Sequence, residues 1–344
     1  MKKGIGVITG VLLLTVSGLL VYFYIDFKWG SQKVDSLCRN LTMNKIKNLG
    51  TTKILEILPL VDWYADSADL KGEAGVSYLV KTDKSLILFD VGMNGKKEDP
   101  SPLLHNMKKL GVELNKIGVI VISHNHVDHV GGFKWSKEKS FSLTNKQADL
   151  GAKRVYTPVP MTYPGLTPVC AENPVIISKG VATTGTIPSY LFFTGWTPEQ
   201  ALAINVEGKG VVLVVGCGHQ TVPRLIKRTR ELFETPIYGI VGGLHYAVTD
   251  SRMKILGIPI QKLYGTGKPP WNFITMEEVN KDIEVFRKIK PGIVSLSAHD
   301  SCDASIDAFR KAYPSAYRDV RVGKNLVIGH YVSSFGILNN AKGL

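Results

Sequence analysis

Short apolar runs alternate with polar breaks rich in glycine and proline over most of the chain. Apolar residues at helical spacing predict helices at 101–110 and 223–233, and a capping box at Thr275 predicts a third that ends before Pro291. The apolar runs predict strands at 53–60, 76–81, 86–90, 118–123, 154–157, 201–206, 210–216, 236–241 and 293–297. This order predicts an α+β fold in which helices cover two facing sheets.

A different pattern opens the chain. After Met1, Lys2 and Lys3, residues 4–25 carry no charge. Aromatic residues lie near the end of this run, at 22–24, and just after it, at 29. At about 1.5 Å per residue, a helix of this length would cross a hydrocarbon core of about 30 Å. We therefore expect a retained, single-pass transmembrane anchor in contact with membrane lipid, with a cleaved signal peptide as the alternative. The two lysines favour a cytoplasmic N-terminus and an extracytoplasmic position for the rest of the chain.

Composition fits one large folded domain, because 44% of the 344 residues are hydrophobic and 21% are charged. We expect an anchor at 1–30, a basic linker at 31–50 and a single domain at 51–344. Of the net charge of +13, residues 1–50 carry a surplus of five and the remainder a surplus of eight. The basic start predicts attraction to anionic lipid, and the domain could accept an anionic small molecule. No basic run with interleaved aromatics occurs, so nucleic acid is not an expected partner.

The segment 123–132 reads Ser-His-Asn-His-Val-Asp-His-Val-Gly-Gly and follows a predicted apolar strand. His124 and His126 can point from the strand end toward one cation, whereas Asp128 and His129 can reach a second. Imidazole nitrogens with a carboxylate oxygen suit zinc, with manganese or iron as alternatives. The pattern therefore predicts a metal centre.

Three other histidines, His219, His245 and His299, each close a further apolar strand. Loops at one edge of a sandwich lie together, so these side chains are expected beside the first motif. His245 could bind a metal directly or could instead contact a ligand residue or the substrate. His105, in the helix 101–110, and His330, in a terminal strand, are interpreted as structural.

These motifs resemble the metallo-β-lactamase superfamily, whose hallmark is the H-x-H-x-D-H run at a strand end. The earlier strand ending in Asp90-Val-Gly92 resembles the family segment in which the aspartate braces the metal loop. The resemblance extends from about residue 75 to about residue 330. It implies a four-layer αβ/βα sandwich.

One branch of the superfamily, named for dihydropterin-ribofuranosylaminobenzene phosphate synthase, is closely similar in five further segments. They read Thr184-Gly-Thr-Ile-Pro188, Glu199-Gln-Ala-Leu202, Gly216-Cys-Gly-His219, Gly242-Gly-Leu-His245 and His299-Asp-Ser-Cys302. Gly218 replaces a serine of the branch, and the residues after His299 depart from its pattern. The resemblance therefore implies shared metal ligands and a different substrate pocket.

The resemblance also implies how the ligands divide. Many relatives take a third histidine from a loop upstream of the strand at 210–216, but no histidine occurs here between Gly132 and Gly218. His219 is therefore assigned, with His124 and His126, to one metal. Asp128, His129 and His299 are assigned to the other. Cys217 stands where many relatives place a bridging aspartate, which makes it a further candidate ligand.

These ligands predict a dinuclear metal-dependent hydrolase that attacks an ester, phosphoester or related bond with a metal-bound hydroxide. Asp128 is the expected catalytic residue, because it can orient the attacking water. Three alternatives stay open: a pterin-related transferase of the same fold, an oxygen-reducing di-iron protein of the same fold, which typically carries Glu where His126 stands, and a non-catalytic metal-binding module.

The segment 251–273 is apolar and interrupted by glycine and proline. It is either an insertion packed on the core, or a lid or membrane-resting flap that would admit an amphiphilic substrate. Cys38 and Cys170 could form a disulfide in an oxidising compartment, whereas Cys217 and Cys302 are expected near the metals.

Overall fold

The structure, a computed structural model, describes residues 2–264 and 267–329, with side chains from residue 10 onward. Its α-helices are α1 (Lys2–Asn40), α2 (Pro102–Lys109), α3 (Phe133–Lys137), α4 (Val222–Leu232), α5 (Ile260–Leu263), α6 (Met276–Arg287) and α7 (Asp303–Ala312). Its strands are β1 (Ile54–Val61), β2 (Ser77–Thr82), β3 (Leu86–Phe89), β4 (Val119–Val121), β5 (Arg154–Thr157), β6 (Val169–Cys170), β7 (Ile176–Ser178), β8 (Val181–Thr183), β9 (Tyr190–Leu191), β10 (Gly195–Trp196), β11 (Leu202–Val206), β12 (Gly210–Val215), β13 (Ile237–Gly242), β14 (Lys254–Ile255), β15 (Ile258–Pro259), β16 (Ile293–Leu296) and β17 (Leu326–Gly329).

Two large sheets organise the domain. The first has the order β17-β1-β2-β3-β4-β5-β6, with parallel pairing from β3 to β6. The second has the order β16-β13-β12-β11-β8-β7, with β12, β13 and β16 parallel. Strands β4, β12 and β16 are buried along their whole length, as their unbroken apolar sequences require. The loops that follow these strands carry the predicted histidines.

Three apolar layers separate the elements. The inner faces of the two sheets meet through residues such as Ile57, Val80 and Val214. Helices α2 and α3 cover the outer face of the first sheet, while α4, α6 and α7 cover the second sheet around Ile283 and Phe309. This arrangement confirms the predicted α+β, four-layer sandwich.

The long elements follow the sequence predictions closely. Helices α2 and α4 lie within one residue of their predicted ends, and α6 begins after Thr275 with the expected capping box. The sequence analysis missed α7 and the short strands β6 to β10. Strands of two or three residues are too short to produce a hydrophobic period.

Helix α1 runs without a break from Lys2 to Asn40. Most of residues 11–25 are exposed and apolar, whereas Phe27 and Val34 are buried against the domain. The Tyr190 ring lies so close to Gly30 that a Cβ there would come within 2.2 Å of it. The Tyr190 hydroxyl donates a hydrogen bond of 2.6 Å to Asp26. The second half of α1 is therefore fixed to the domain.

By length and composition, α1 is the candidate membrane span among the described residues, a test that a signal sequence also passes. The segment predicted as a linker is helical as far as Asn40. The division into anchor, linker and catalytic domain stays a prediction. His330 lies outside the described residues.

Candidate metal centre

The loop after β4 brings the first four predicted residues together. His124 and His129 are buried and His126 is partly buried, and the ring of His124 lies 4.5 Å from that of His126 and 4.1 Å from that of His129. Asp128 is almost fully buried, and its Oδ2 lies 3.7 Å from His129 Nε2. The four side chains thus face one common space.

The ends of β12 and β16 supply the next group. The ring of His219 lies 5.1 Å from that of His124 and 4.9 Å from that of His126. Cys217 Sγ lies 3.1 Å from His129 Nε2 and 3.2 Å from His299 Nε2. Strands from both sheets therefore converge on this space.

Three sets of donor atoms lie within 4.8 Å of one another in the described residues, and Cys217 belongs to each. The sets are Asp128, His129, Cys217 and His299; His124, Cys217 and His219; and Cys217, His245 and Asp300. His126 belongs to none of these sets, although its ring packs against two of their histidines. The donors thus form one cluster around a central thiol.

The chemistry of the cluster fits a bound metal. The Nε2 atoms of His124 and His126 are buried and have no hydrogen-bond partner in the described part of the chain. Burial lowers the pKa of His126 to about 4, against the opposing charge of Asp128, and holds that of His124 well below its ordinary value. Both rings are therefore neutral, which is the form that binds metal. Buried nitrogens without partners, beside a thiol and a carboxylate, suit zinc.

Asp90 holds the first loop in place. Its Oδ1 accepts the backbone N–H of Ser123 at 2.7 Å, and its Oδ2 accepts the Ser123 hydroxyl and lies 2.7 Å from His129 Nδ1. Burial would lower the pKa of His129, but the carboxylates of Asp128 and Asp90 outweigh it and raise the value to about 9. Because Nδ1 donates a hydrogen bond to Asp90, Nε2 faces the cluster. This is how a carboxylate orients a metal-binding imidazole.

Asp62, which follows β1, orients His299 at the edge of the second sheet in a similar way. It is buried, and it accepts hydrogen bonds from the Ser297 and Tyr78 hydroxyls and the backbone N–H of Ala298. Ser297 Oγ lies 2.6 Å from His299 Nδ1, so the ring can donate to a hydroxyl that is itself committed to Asp62. Burial raises the pKa of Asp62 to about 6.

The sequence analysis missed Asp62. The available signal was an aspartate closing an apolar strand, the feature that Asp90 shows after β3.

Glu199 shapes the loop after β12. Its buried carboxylate accepts the backbone N–H groups of Cys217 and Gly218 at 3.0 Å and of His219 at 2.8 Å, while burial raises its pKa to about 7. Gly218 has φ of +72°, and a Cβ there would lie 2.9 Å from the carbonyl oxygen of Gly243. Glycine therefore suits this turn better than the serine of the related branch. The motif that contains Glu199 was recognised from the sequence, but its role was not.

His245 lies beside the cluster with φ of +55°. Its Nε2 donates to the backbone carbonyl of Gln261 at 2.9 Å, so Nδ1 keeps its lone pair, and this atom is buried without a partner in the described structure. The His245 N–H donates to Asp300 Oδ2, which lies 3.8 Å from His299 Nε2. Asp300 was not predicted, because it falls where the sequence departs from the related branch.

A cavity of about 300 Å³ opens over the cluster. His126, Asp128, His219 and His245 form its floor. Residues 251–264, which we call the flap, form much of its wall through Met253, Ile255, Ile260, Gln261 and Tyr264. Phe133 adds to the apolar lining. The cluster therefore faces a mainly apolar space.

Other predicted positions lie away from the cluster. His105 Nε2 bonds to the carbonyl oxygen of Asp69 at 2.8 Å. Cys302 Sγ contacts the Ser305 hydroxyl at 3.3 Å and belongs to none of the donor sets. All four cysteines are free, so the structure contains no disulfide between Cys38 and Cys170.

Comparison with known proteins agrees with the fold. Residues 70–141 match the metallo-β-lactamase superfamily. A crystal structure of a metal-dependent hydrolase of the β-lactamase superfamily aligns with a TM-score of 0.52 and 20% identity, over 80% of this chain and all of that one. The chain has the metallo-β-lactamase fold, and residues 70–141 are similar in sequence to that superfamily.

Two curated relatives come from Methanocaldococcus jannaschii. The 7,8-dihydropterin-6-methyl-4-(β-D-ribofuranosyl)-aminobenzene-5′-phosphate synthase is 25% identical over 289 residues, which are 70% of this chain and 96% of that protein. An uncharacterised protein is 26% identical over 196 residues, which are 50% of this chain and 72% of that protein. The predicted similarity to the synthase branch is confirmed.

Proposed function

We propose that this protein is a membrane-anchored, metal-dependent hydrolase that cleaves an ester, phosphoester or related bond in a small molecule. The observation that carries the proposal is the pair of buried, unpartnered Nε2 atoms of His124 and His126 within a cluster of further donors. Bound divalent ions, with zinc the best fit and manganese or iron as alternatives, would supply Lewis acidity and an activated water. The cavity above the cluster gives a substrate access to it.

In this proposal the donors divide between two ions. His124, His126 and His219 hold one, while Asp128, His129 and His299 hold the other. Cys217 lies between the groups and is available to either ion. Its sulfur belongs both to the donor set that contains His124 and His219 and to the set that contains Asp128, His129 and His299.

Each remaining residue has its own task in the proposal. Asp128 lines the cavity and is the catalytic residue, because its carboxylate can accept a proton from an attacking water. Asp90 and Asp62 are positioning residues that fix the rings of His129 and His299. His245 presents the lone pair of Nδ1 to the cavity, where it accepts a hydrogen bond from the substrate.

A metal assay with a substrate panel tests the proposal. The full chain, purified in detergent and loaded with zinc, should contain about two equivalents and hydrolyse at least one of a phosphodiester, a lactone, a thioester and a β-lactam. Chelation should abolish turnover, and zinc should restore it. Asp128→Asn should lose turnover, whereas His105→Ala, outside the cluster, should keep it. Turnover that survives chelation would contradict the proposal.

The anchor is part of the same proposal. Helix α1 would contact membrane lipid, with the N-terminus in the cytoplasm and the catalytic domain outside it. N-terminal sequencing of the protein from a membrane fraction should then begin at Met1 or the next residue. A start beyond Ile25 would show that the segment is a cleaved signal peptide.

A second candidate is a pterin-related transferase. It is favoured by the similarity to the M. jannaschii synthase, which extends over 96% of that relative. A transferase needs a second substrate, so product analysis with and without an acceptor alcohol or amine separates the two activities. A non-catalytic metal-binding module would show neither activity while retaining its metal.

A further inference from the structure

The flap ends in an exposed hairpin with an unusual residue at its tip. Strands β14 and β15 are joined by Leu256 and Gly257, which have φ of +50° and +78°. A two-residue turn with both φ values positive normally contains Asn-Gly or Asp-Gly, because a larger side chain is strained there. Leu256 is nevertheless 97% exposed, so no protein contact offsets the strain. In water, the exposed Leu256 side chain makes no contact that would stabilise the strained turn.

The residues on either side of the tip are also apolar and exposed. Ile255 and Ile258 are each about half exposed, at 48% and 49%. Ile255 also lines the cavity above the metal cluster. The hairpin is therefore apolar both on its outer surface and toward the cavity, which a surface loop in water does not require.

Aromatic contacts place this region at one level of α1. Phe23 lies 6.1 Å from Phe193, which lies 5.7 Å from Tyr264 of the flap. Tyr24 lies 5.8 Å from the exposed Trp271. Phe23 and Tyr24 lie near the end of the uncharged run of the helix, so Tyr264 of the flap and Trp271 lie near the level where α1 would leave a membrane. Tryptophan and tyrosine are typical of that level.

Charge fits the same environment. Lys254 on the hairpin and Lys28 on α1 are both exposed and lie beside these apolar side chains in the sequence, although Lys254 also pairs with Asp250 at 2.9 Å. Cations that flank an apolar surface favour contact with anionic lipid headgroups.

We propose that the hairpin 254–259 inserts into the lipid surface beside α1 and opens the cavity to the membrane, so that the substrate is an amphiphile drawn from the bilayer. Its apolar chain would lie against Met253, Ile255, Ile260 and Tyr264, and its hydrolysable head group would reach the metal cluster. This inference rests on the proposed hydrolase function and adds the substrate class to it.

A fluorescent label at the tip tests the membrane contact without any activity measurement. In a Cys38→Ser, Cys170→Ser background, Leu256→Cys carries an environment-sensitive dye, and the full chain is placed in vesicles of phosphatidylcholine and phosphatidylglycerol. Glu207→Cys is the matched control, because it is an exposed hairpin position at the end of β12 opposite the metal loop. Lipids with a quencher in their acyl chains should quench the dye at 256 and leave the dye at 207 unchanged. Equal emission at both positions would overturn the contact.

Turnover in the same vesicles tests the substrate class. Asparagine suits the left-handed turn, so Leu256→Asn removes the apolar side chain without adding strain. With two esters that differ only in a four-carbon or sixteen-carbon chain, this variant should lose about tenfold in kcat/KM for the long ester alone, and Leu256→Met should lose neither activity. Equal long-chain turnover in Leu256→Asn and the unaltered chain would overturn the amphiphile. If the unaltered chain hydrolyses neither these esters nor any compound of the substrate panel, the hydrolase proposal fails, and the label still decides the membrane contact.

Discussion

The floor and the wall of the cavity are built in opposite ways. The floor is part of the metal cluster, whose histidines follow buried strands, and two rings of that cluster, His129 and His299, are each held through a buried aspartate. The wall is a hairpin of two-residue strands with exposed apolar side chains. Metal binding needs fixed donors, whereas a substrate-facing wall can change without disturbing them. In the proposed hydrolase, the metal cluster would carry out the reaction and the hairpin wall would select the substrate.

Gln261 joins the two regions. Its side-chain oxygen accepts the backbone N–H groups of Arg252 and Met253, and its Nε2 donates to the carbonyl oxygen of His299. Its own carbonyl oxygen accepts from His245 Nε2. A movement of the flap would therefore change the hydrogen bond that holds the His245 ring.

The largest effects are expected in the metal cluster that includes the floor. His219→Ala and His299→Ala should each lower bound zinc by about one equivalent per chain, because each removes one of about three protein ligands. Loss of an ion should lower turnover by at least about 100-fold, since metal ions contribute several kcal/mol to the transition state. Elemental analysis of the purified full chain measures the first effect. If His219→Ala keeps two metals while His245→Ala loses one, the ligand assignment is wrong and His245 is the ligand.

Removal of the Glu199 carboxylate should come next. Glu199→Ala leaves the N–H groups of Cys217, Gly218 and His219 without their acceptor, at about 1–3 kcal/mol for each buried donor. A total loss of about 3 kcal/mol or more should lower the midpoint of denaturant unfolding in detergent. Glu199→Gln, which keeps one oxygen, should lose less. An unchanged midpoint for Glu199→Ala would show that the loop does not depend on this carboxylate.

The two aspartates should differ from each other. Asp90 bonds directly to His129, whereas Asp62 acts on His299 through Ser297. Asp90→Asn should weaken zinc binding by about 100-fold and Asp62→Asn by about tenfold, the range known for residues that orient ligands. Competition with a chelator measures both affinities. Tyr78→Phe removes only one bond to Asp62 and serves as the control.

The smallest effect should arise at the link to the wall. Gln261→Ala should keep its full zinc content, because the rings remain held by their aspartates. It should lower kcat/KM about fivefold, the equivalent of about one hydrogen bond. Protease cleavage within 251–264 should also become faster. Loss of zinc from this variant would mean that the floor and the wall are not separable.

The sequence by itself determined the fold class and the chemical character of the site. Long apolar strands, the run from His124 to His129 and the strand-end histidines are local signals, because strand periodicity and ligand spacing are read from neighbouring residues. The uncharged run at 4–25 is a local signal as well. These features were sufficient to predict the sandwich and all the donors in the three sets that the structure brings together except Asp300.

Only the tertiary structure decided how those donors are held and what covers them. Asp62 and Ser297 are 235 residues apart in sequence, so no local pattern could pair them. The roles of Glu199 and Asp300 depend on backbone groups from distant loops. Among the aromatic contacts of the described residues, the flap is linked to α1 only through Phe193, which contacts both Tyr264 and Phe23. Such contacts depend on how strands and loops are arranged in space, which hydrophobic periodicity does not encode.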